Sequence, residues 1–292
     1  MRVLICVAGM PYSVPTVRFG GLITRLTGAS ATVLNVVSSE EEQAASESTL
    51  AQACEMLGTL VVEAKTRRGA PASEILREAE EGNYDLVVMG ARDVLSLAEL
   101  FMGSLARQAI RRLRASVLVV RRGRPQLQDM LICTGGWQAD EAVIEMGAHL
   151  AQAANARVTL LHVSGTVPSM YVGLEAMEEE LAELLRTDTP IARHLRLGAE
   201  ILDRHGVKAT LKLRHGAVAS EILREASRGD YDLIVIGASG TVGHPRGLFM
   251  VDVTRQVVDR AQRPVLVVRR PLPSRIFSLW NIVKRLLGGQ QR

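Results

Sequence analysis

The chain contains the same sequence pattern twice. Residues 70–91 read APASEILREAEEGNYDLVVMGA and residues 217–238 read AVASEILREASRGDYDLIVIGA, and these stretches differ at six of 22 positions. Similar stretches also begin at residues 4 and 131 (LICVAGM and LICTGGW), and each copy ends alike (SVLVVRR and PVLVVRR). Because each copy is as long as an ordinary domain, the pattern predicts two tandem domains and not the short stacked units of a solenoid.

The repeat divides the chain into three parts. We define the first copy as residues 1–124, the second copy as residues 128–271 and the tail as residues 272–292. The second copy is longer by about 20 residues, which fall in an insert near residues 165–190. The stretch LEAMEEELAELLR in this insert predicts a helix that either covers the ligand edge of a sheet or contacts the other copy.

Short apolar runs alternate with stretches of helical periodicity in both copies. Runs such as LIVIG and VLVVR are apolar on both faces, which is typical of parallel strands covered by helices. The alternation predicts an α/β fold with two doubly wound, open, parallel five-stranded sheets. Ligands of such sheets bind beyond the carboxyl ends of the strands, where the strand order reverses. The predicted strands are residues 3–7, 31–37, 59–66, 86–90 and 117–121 in the first copy and 130–134, 157–163, 208–214, 233–237 and 265–269 in the second.

Composition argues against several classes of function. The net charge is only +4 and aromatic residues, which are 3% of the chain, do not interleave with the arginines, so nucleic-acid binding is not expected. The three cysteines and six histidines lack metal-ligand spacing, and we predict neither a metal site nor a catalytic residue. No run of 18 apolar residues is present. We therefore expect a cytoplasmic protein, and the widely spaced cysteines fit that reducing compartment.

The repeat unit, its strand count and its final strand resemble the universal stress protein family over residues 2–270. The resemblance implies the strand order 3-2-1-4-5 in each copy, as in adenine nucleotide alpha hydrolase-like folds. It also implies that the copies pair through their last strands as an internal pseudo-dimer, and it leaves open whether chains associate further as a homo-oligomer. Nucleotide-binding members carry G-x2-G-x9-G-[ST] after the fourth strand and an aspartate after the first, so the resemblance implies ATP with Mg²⁺ as the ligand.

The first copy keeps part of this motif. Gly90, Gly103 and Ser104 match it, but Asp93 stands at the second glycine position, where its charge would repel a polyphosphate. We expect Gly103 and Ser104 to open the last helix of the copy, whose first amides would attract phosphate. This makes the first copy the better candidate.

The second copy departs from the motif elsewhere. Gly237 and Gly240 match it, but Val251 and Asp252 replace the final Gly-Ser pair. Asp252 instead predicts an N-cap for the helix that follows.

Small residues replace the family's aspartate after the first strand in both copies. They leave room for a ligand but offer no ribose contact. The candidate nucleotide-binding residues are Ala8, Gly9, Val36, Gly90, Gly103 and Ser104 in the first copy and Gly135, Gly136, Val163, Gly237 and Gly240 in the second.

The tail has an amphipathic and cationic pattern. Within Arg275–Leu287, the apolar residues fall on one helical face and include Trp280. This pattern suits a membrane surface or the groove of a protein partner, although the same face could pack on the chain's own domains or in an oligomer. A peripheral membrane location is therefore a second expectation.

The sequence as a whole predicts a tandem stress-response binding and regulatory module with weak or degenerate ATP binding. Two alternatives stay open. One is a slow ATP-hydrolysing enzyme in which Asp93 or Asp252 is the base, and the other is a membrane-associated adaptor that docks through its tail.

Overall fold

The computed structural model describes residues 1–91, 99–121, 124, 126–135, 140–165, 176–238 and 247–269. The first copy alternates five strands with four helices. They are β1 (Arg2–Val7), α1 (Val14–Thr27), β2 (Ser30–Val37), α2 (Gln43–Leu57), β3 (Val62–Arg68), α3 (Pro71–Glu81), β4 (Leu86–Gly90), α4 (Glu99–Arg112) and β5 (Ser116–Val120).

The second copy repeats this order and adds one helix in the insert. The elements are β6 (Asp129–Thr134), α5 (Glu141–Ala154), β7 (Arg157–Ser164), α6 (Ala176–Arg186), α7 (Pro190–Arg204), β8 (Ala209–His215), α8 (Val218–Arg228), β9 (Leu233–Gly237), α9 (Gly247–Arg260) and β10 (Val265–Val268). The added helix, α6, contacts α7 and β8. The insert helix predicted from the sequence is thus present, and within the described residues it packs inside its own copy.

All ten strands form one continuous sheet in the order β3-β2-β1-β4-β5-β10-β9-β6-β7-β8. Each copy has the expected order 3-2-1-4-5, and its strands are parallel. The sheets join where β5 pairs with β10 in antiparallel register, with Leu118 opposite its equivalent, Leu266. The carboxyl ends of the first copy's strands and those of the second copy therefore lie at opposite edges of the sheet.

Helices cover both faces of the sheet, and a hydrophobic core lies under each helical layer. Val3 and Ile5 point to one face, whereas Leu4 and Cys6 point to the other, because side chains alternate along a strand. Each core contains residues of both copies, so the hydrophobic clusters continue across the β5–β10 junction.

Equivalent arginines hold the copies together beside this junction. The guanidinium group of Arg121 donates to the carbonyl oxygens of Val258 and Asp259 at 3.2 and 2.7 Å, near the end of α9. Arg269, at the matching position of the second copy, donates to the carbonyl oxygen of Ile110 in α4. Positive charge near a helix C-terminus also interacts favourably with the helix dipole.

A buried glutamate on α8 organises the outer strand of the second copy. The Glu225 carboxylate accepts hydrogen bonds from Lys212 Nζ at 2.6 Å, from an Arg214 guanidinium nitrogen at 2.7 Å and from the Tyr231 hydroxyl at 2.9 Å. Burial alone would raise the pKa of Glu225, but these three hydrogen bonds outweigh it and lower the pKa to about 2.

The first copy contains the same network. Glu78 accepts from Lys65 at 3.1 Å, from Arg67 at 2.6 Å and from the Tyr84 hydroxyl at 2.8 Å. The pKa of Glu78 is likewise lowered although burial opposes the shift. The shared YDL stretch and the glutamate of the preceding helix are thus structural in both copies.

Most predicted strand ends lie within two residues of the observed ones, and the start of the third strand differs most. The third strand was expected to begin at residue 59, but β3 begins at Val62. Gly58 ends α2 with φ +65°, and the chain needs residues 59–61 to turn before it can join the sheet.

Candidate functional site

The strand order of the first copy reverses between β1 and β4. The carboxyl end of β1 leads into Ala8 and Gly9, and β4 ends at Gly90. Val36 lies near the end of the neighbouring strand β2 and is half-buried. The structure therefore brings these four predicted residues to one edge of the sheet.

Gly9 leaves open space next to the carboxyl end of β1. Its φ is +136°, a value that favours glycine, and a Cβ added there would meet no atom within 4 Å. Ala8 beside it is exposed. The described surface above the end of β1 therefore has room for a ligand.

Gly90 has a packing role. A Cβ added at Gly90 would lie 2.7 Å from the hydroxyl oxygen of Thr16 in α1. The glycine lets this helix approach the end of β4 closely, so its presence in the motif has a structural reason apart from phosphate binding.

The residue before the first helix folds back onto the strand end. The Ser13 hydroxyl accepts the Ala8 backbone N–H at 2.9 Å. In the second copy, the Asp140 carboxylate accepts the Gly135 N–H at 2.7 Å in the same way. The first amide after the strand is therefore already bonded in both copies, and a ligand must use other donors.

The same contact gives the two edges different charges. Ser13 is neutral, whereas Asp140 places a carboxylate beside the end of β6. A phosphate near Asp140 would be repelled, and no such repulsion arises at Ser13. The edge of the first copy thus suits an anion better than that of the second.

A buried polar cluster lies below the second edge. The Thr134 hydroxyl has one proton, which it donates to Asp140 at 3.2 Å, so it accepts from Nε2–H of His194 at 2.6 Å. Nδ1–H of His162 donates to the Thr134 carbonyl oxygen at 3.0 Å. Burial lowers the pKa of both histidines, which favours their neutral forms.

Asn35 is the counterpart of His162 in the first copy. Asn35 in β2 donates to the Val7 carbonyl oxygen at 2.7 Å, at the position that His162 occupies in β7. Since the Asn35 amide makes the equivalent hydrogen bond in the first copy, His162 has a structural role. Val163, the next predicted residue, lies beside it and is buried.

Gly237 ends β9 at the edge formed with Gly135. A Cβ added there would lie 3.3 Å from Val143 and 3.4 Å from Asp140, so this glycine is less crowded than Gly90. The Thr254 hydroxyl of α9 donates to the Gly237 carbonyl oxygen at 3.1 Å.

The predicted starts of the last helices are wrong. Gly103 and Ser104 lie inside α4, which begins at Glu99, and Asp252 lies inside α9, which begins at Gly247. Three of the four residues before Gly103, which are Glu99, Leu100 and Met102, are good helix formers and extend the helix towards the N-terminus. The amides of Gly103 and Ser104 therefore lie past the unpaired amides of the first turn, and Asp252 is not an N-cap.

Some predicted residues lie outside the described part of the chain. They are Gly136, Gly240 and Asp93, together with the tail. Gly103 and Ser104 are described as helical backbone only.

The family motif does not include Ser13 or Asp140, but the repeat shows that these two residues occupy equivalent positions. The LICVAGM and LICTGGW stretches align the copies, and the same offset places Ser13 opposite Asp140. A hydroxyl and a carboxylate at one repeat position indicate that the copies differ in charge there.

Two of the three cysteines, Cys6 and Cys133, are buried. Burial raises the pKa of Cys6 to about 12 and also raises that of Cys133, so both thiols stay protonated and unreactive. Within the described ranges, no three His, Cys, Asp or Glu side chains are placed to hold a metal ion. No helix among these residues is long and apolar enough to cross a bilayer.

A surface cavity of about 430 Å³ lies at the amino ends of the second copy's strands. Its lining includes Asp129 and Arg157, which form a two-point ion pair at 2.7 and 2.8 Å. The cavity is at the opposite end of those strands from their carboxyl ends. The charged residues that line it include the Asp129–Arg157 ion pair, in which the two charges offset each other. The cavity therefore lies away from the predicted ligand edge.

Comparisons with known proteins match both copies to one family. A family model described as the universal stress protein family matches residues 1–121 and 127–269. A universal stress protein of Methanocaldococcus jannaschii is 28% identical over 153 residues, which cover 52% of this chain and 88% of that protein. Another from Thermus aquaticus is 35% identical over 120 residues, 41% of this chain and 82% of that protein. The crystal structure of a universal stress protein from Archaeoglobus fulgidus has the same fold, with a TM-score of 0.68, 16% identity and coverage of 92% of this chain and 96% of that one.

Proposed function

Since the chain belongs to the universal stress protein family, with one family match in each copy, we propose that it is a stress-response binding and regulatory protein whose first copy binds a nucleotide. The second copy, in this proposal, has lost that capacity and serves as the structural partner of the first. The nucleotide lies beyond the carboxyl ends of β1 and β4, above Ala8 and Gly9.

The observation that carries the proposal is the difference between Ser13 and Asp140. Both side chains hold the first amide after the strand, but only Asp140 adds negative charge where phosphates would lie. The open space above Gly9 adds room in the first copy. The charge and the space together favour an anionic ligand there.

The proposed ligand is ATP that carries Mg²⁺ on its phosphates, and not a nucleotide that joins a Mg²⁺ ion already bound by the protein. No described group of carboxylates or histidines could hold a metal ion by itself, so Mg²⁺ would reach the site with the phosphates. Because the family's aspartate is absent after β1, the ribose has no partner at Ala8, and weak affinity is expected.

Thermal unfolding tests the proposal when ATP, ADP and AMP are each added with Mg²⁺. A ligand at 100 times its dissociation constant adds roughly 2.7 kcal/mol of stability, and each kcal/mol raises the midpoint by about 2–4 °C in a protein of this size. We expect a shift of several degrees for at least one nucleotide.

Exchanging the two loop residues provides matched variants. Ser13→Asp places the second copy's carboxylate in the first copy and should abolish the shift, while the bond to the Ala8 amide is kept. Asp140→Ser makes the reverse change and should leave the shift intact. The proposal is wrong if no nucleotide shifts the wild type at millimolar concentration, or if only Asp140→Ser loses the shift.

A further inference from the structure

The two outer strands of the ten-stranded sheet have different surroundings. β3 is the last strand on the side of the first copy, and β8 is the last strand on the side of the second. The insert helix α6 contacts β8, whereas residues 38–42, which are all described, connect β2 to α2 without an added helix. Ala64 in β3 is exposed, but its equivalent in β8, Leu211, is half-buried. Among the described residues, β8 therefore has an added cover that β3 lacks.

The backbone of β3 directs hydrogen-bonding groups away from the sheet. The N–H of Ala31 in β2 donates to the Val61 carbonyl oxygen at 3.2 Å, so Val61 and the odd-numbered residues after it face β2. Successive residues of a strand direct these groups to opposite sides, and the even-numbered residues from Val62 to Arg68 therefore face outwards. A row of outward N–H and C=O groups is a template for another strand.

The side chains of β3 are complementary in charge to those of an antiparallel copy of the same strand. With the two-fold axis beside Ala64, outward-facing residues oppose each other, and Glu63 of each chain lies opposite Lys65 of the other. Directly opposed side chains of opposite charge stabilise a strand pair, and like charges destabilise it. An axis beside Glu63 or Lys65 opposes each to itself, and an axis beside Thr66 opposes Lys65 to Arg67. The charges therefore favour the register centred on Ala64.

We propose that β3 is a docking surface for the β3 strand of a second copy of this chain, in the register centred on Ala64. In this register Val61, which is 79% exposed, lies opposite Arg67 of the second chain, whose aliphatic stem covers it. The contact uses the same surface on both chains, and α6 covers β8 at the other end of each sheet. Association therefore stops at a dimer.

Sedimentation velocity of the full chain at micromolar concentrations tests for this dimer. We expect a species of twice the 31.7 kDa mass of one chain, and we expect it to dissociate on dilution. Amide hydrogen exchange locates the contact. The N–H groups of Val62, Ala64 and Thr66 should exchange more slowly where the dimer forms than in dilute solution, whereas the amides of β8 should exchange equally in both.

A proline on the outer side of β3 removes a hydrogen bond of the dimer only. Ala64→Pro deletes an N–H that faces away from β2, and edge strands tolerate proline at such positions. Each chain of the dimer loses one hydrogen bond, so the dissociation constant should rise at least about tenfold. Ala209→Pro is the matched control, because the Lys208 carbonyl oxygen faces β7 and Ala209 therefore faces outwards from β8. It should change the dissociation constant by less than about twofold.

A charge reversal tests the register. Glu63→Lys places a lysine opposite Lys65 twice in the dimer and should also raise the dissociation constant at least about tenfold. Glu200→Lys, an exposed change on α7, alters the net charge equally and should have less than about a twofold effect. Circular dichroism establishes that each variant folds. If Ala64→Pro does not fold, Glu63→Lys carries the test.

Four results would overturn the proposal. They are a wild type that stays monomeric throughout the micromolar range, a dimer that Glu63→Lys does not weaken, β3 amides whose exchange does not slow, and assemblies that keep growing beyond the dimer. None of these outcomes depends on whether the first copy binds a nucleotide.

Discussion

The buried Glu225 allows the sharpest test of the energetics. Glu225→Gln keeps the shape of the side chain and still accepts the Tyr231 hydroxyl, but it removes the charge that faces Lys212 and Arg214. The Glu225 side chain is only 3% exposed, so water cannot replace the lost interaction. The two cations are then left beside a neutral amide.

The pKa of Glu225 sets the size of the effect. A fall from 4.5 to about 2 corresponds to roughly 3 kcal/mol, because each pKa unit is worth about 1.4 kcal/mol. The removal of one partner from a buried ion pair costs about 3–5 kcal/mol in other proteins. We therefore expect Glu225→Gln to lower the free energy of unfolding by about 3 kcal/mol at pH 7.

The assay is urea unfolding followed by circular dichroism at pH 7 and at steps down to pH 3. The folded-state pKa of Glu225 lies below its unfolded value, so its contribution is complete above pH 4.5 and declines as the pH falls towards 2. The difference between wild type and variant should shrink over that range. Glu200→Gln, an exposed change on α7, should have little effect. A loss below about 1 kcal/mol at pH 7, or a difference that does not vary with pH, would refute the reasoning.

Three further predictions use other equivalent or buried groups. Gly90→Ala should destabilise the fold by about 1–3 kcal/mol in urea unfolding because its Cβ meets Thr16, and Gly237→Ala should cost less; equal losses would contradict the packing argument. Burial holds the pKa of His149 at about 4, so stability should fall as the pH drops from 7 to 5, and His149→Gln should remove about 2 kcal/mol of that fall; parallel pH profiles would count against it. Arg121→Met removes two hydrogen bonds across the junction and should lower stability by about 1–3 kcal/mol, whereas no change in the unfolding midpoint would mean that the β5–β10 pairing needs no such support.

The regular core of each copy could be predicted from the sequence. Apolar runs such as LIVIG can be buried on both faces only in a covered parallel sheet, and β9 spans the predicted residues 233–237. The repeat fixed the equivalence of the copies, and the edge that gathers Ala8, Gly9 and Gly90 follows from the strand order.

The predictions that failed concern segments where local preferences compete. The start of α4 depends on how far a helix extends beyond a glycine-rich motif, and the motif itself does not specify this. The hydrogen bond that Ser13 accepts from the Ala8 N–H could not be predicted either. A serine before a helix usually accepts from the helix amides and not from the preceding strand.

Both copies belong to one chain and meet at the antiparallel β5–β10 junction, and this has a consequence for how the carboxyl-end edges of their sheets can evolve. In a symmetric dimer of identical chains, every mutation appears in both binding sites at once. Here the two halves are encoded separately, so a carboxylate could arise at Asp140 while Ser13 stayed neutral. The covalent link also keeps the halves in a fixed one-to-one ratio at any dilution. One half is therefore free to specialise as a scaffold without removing the function of the other.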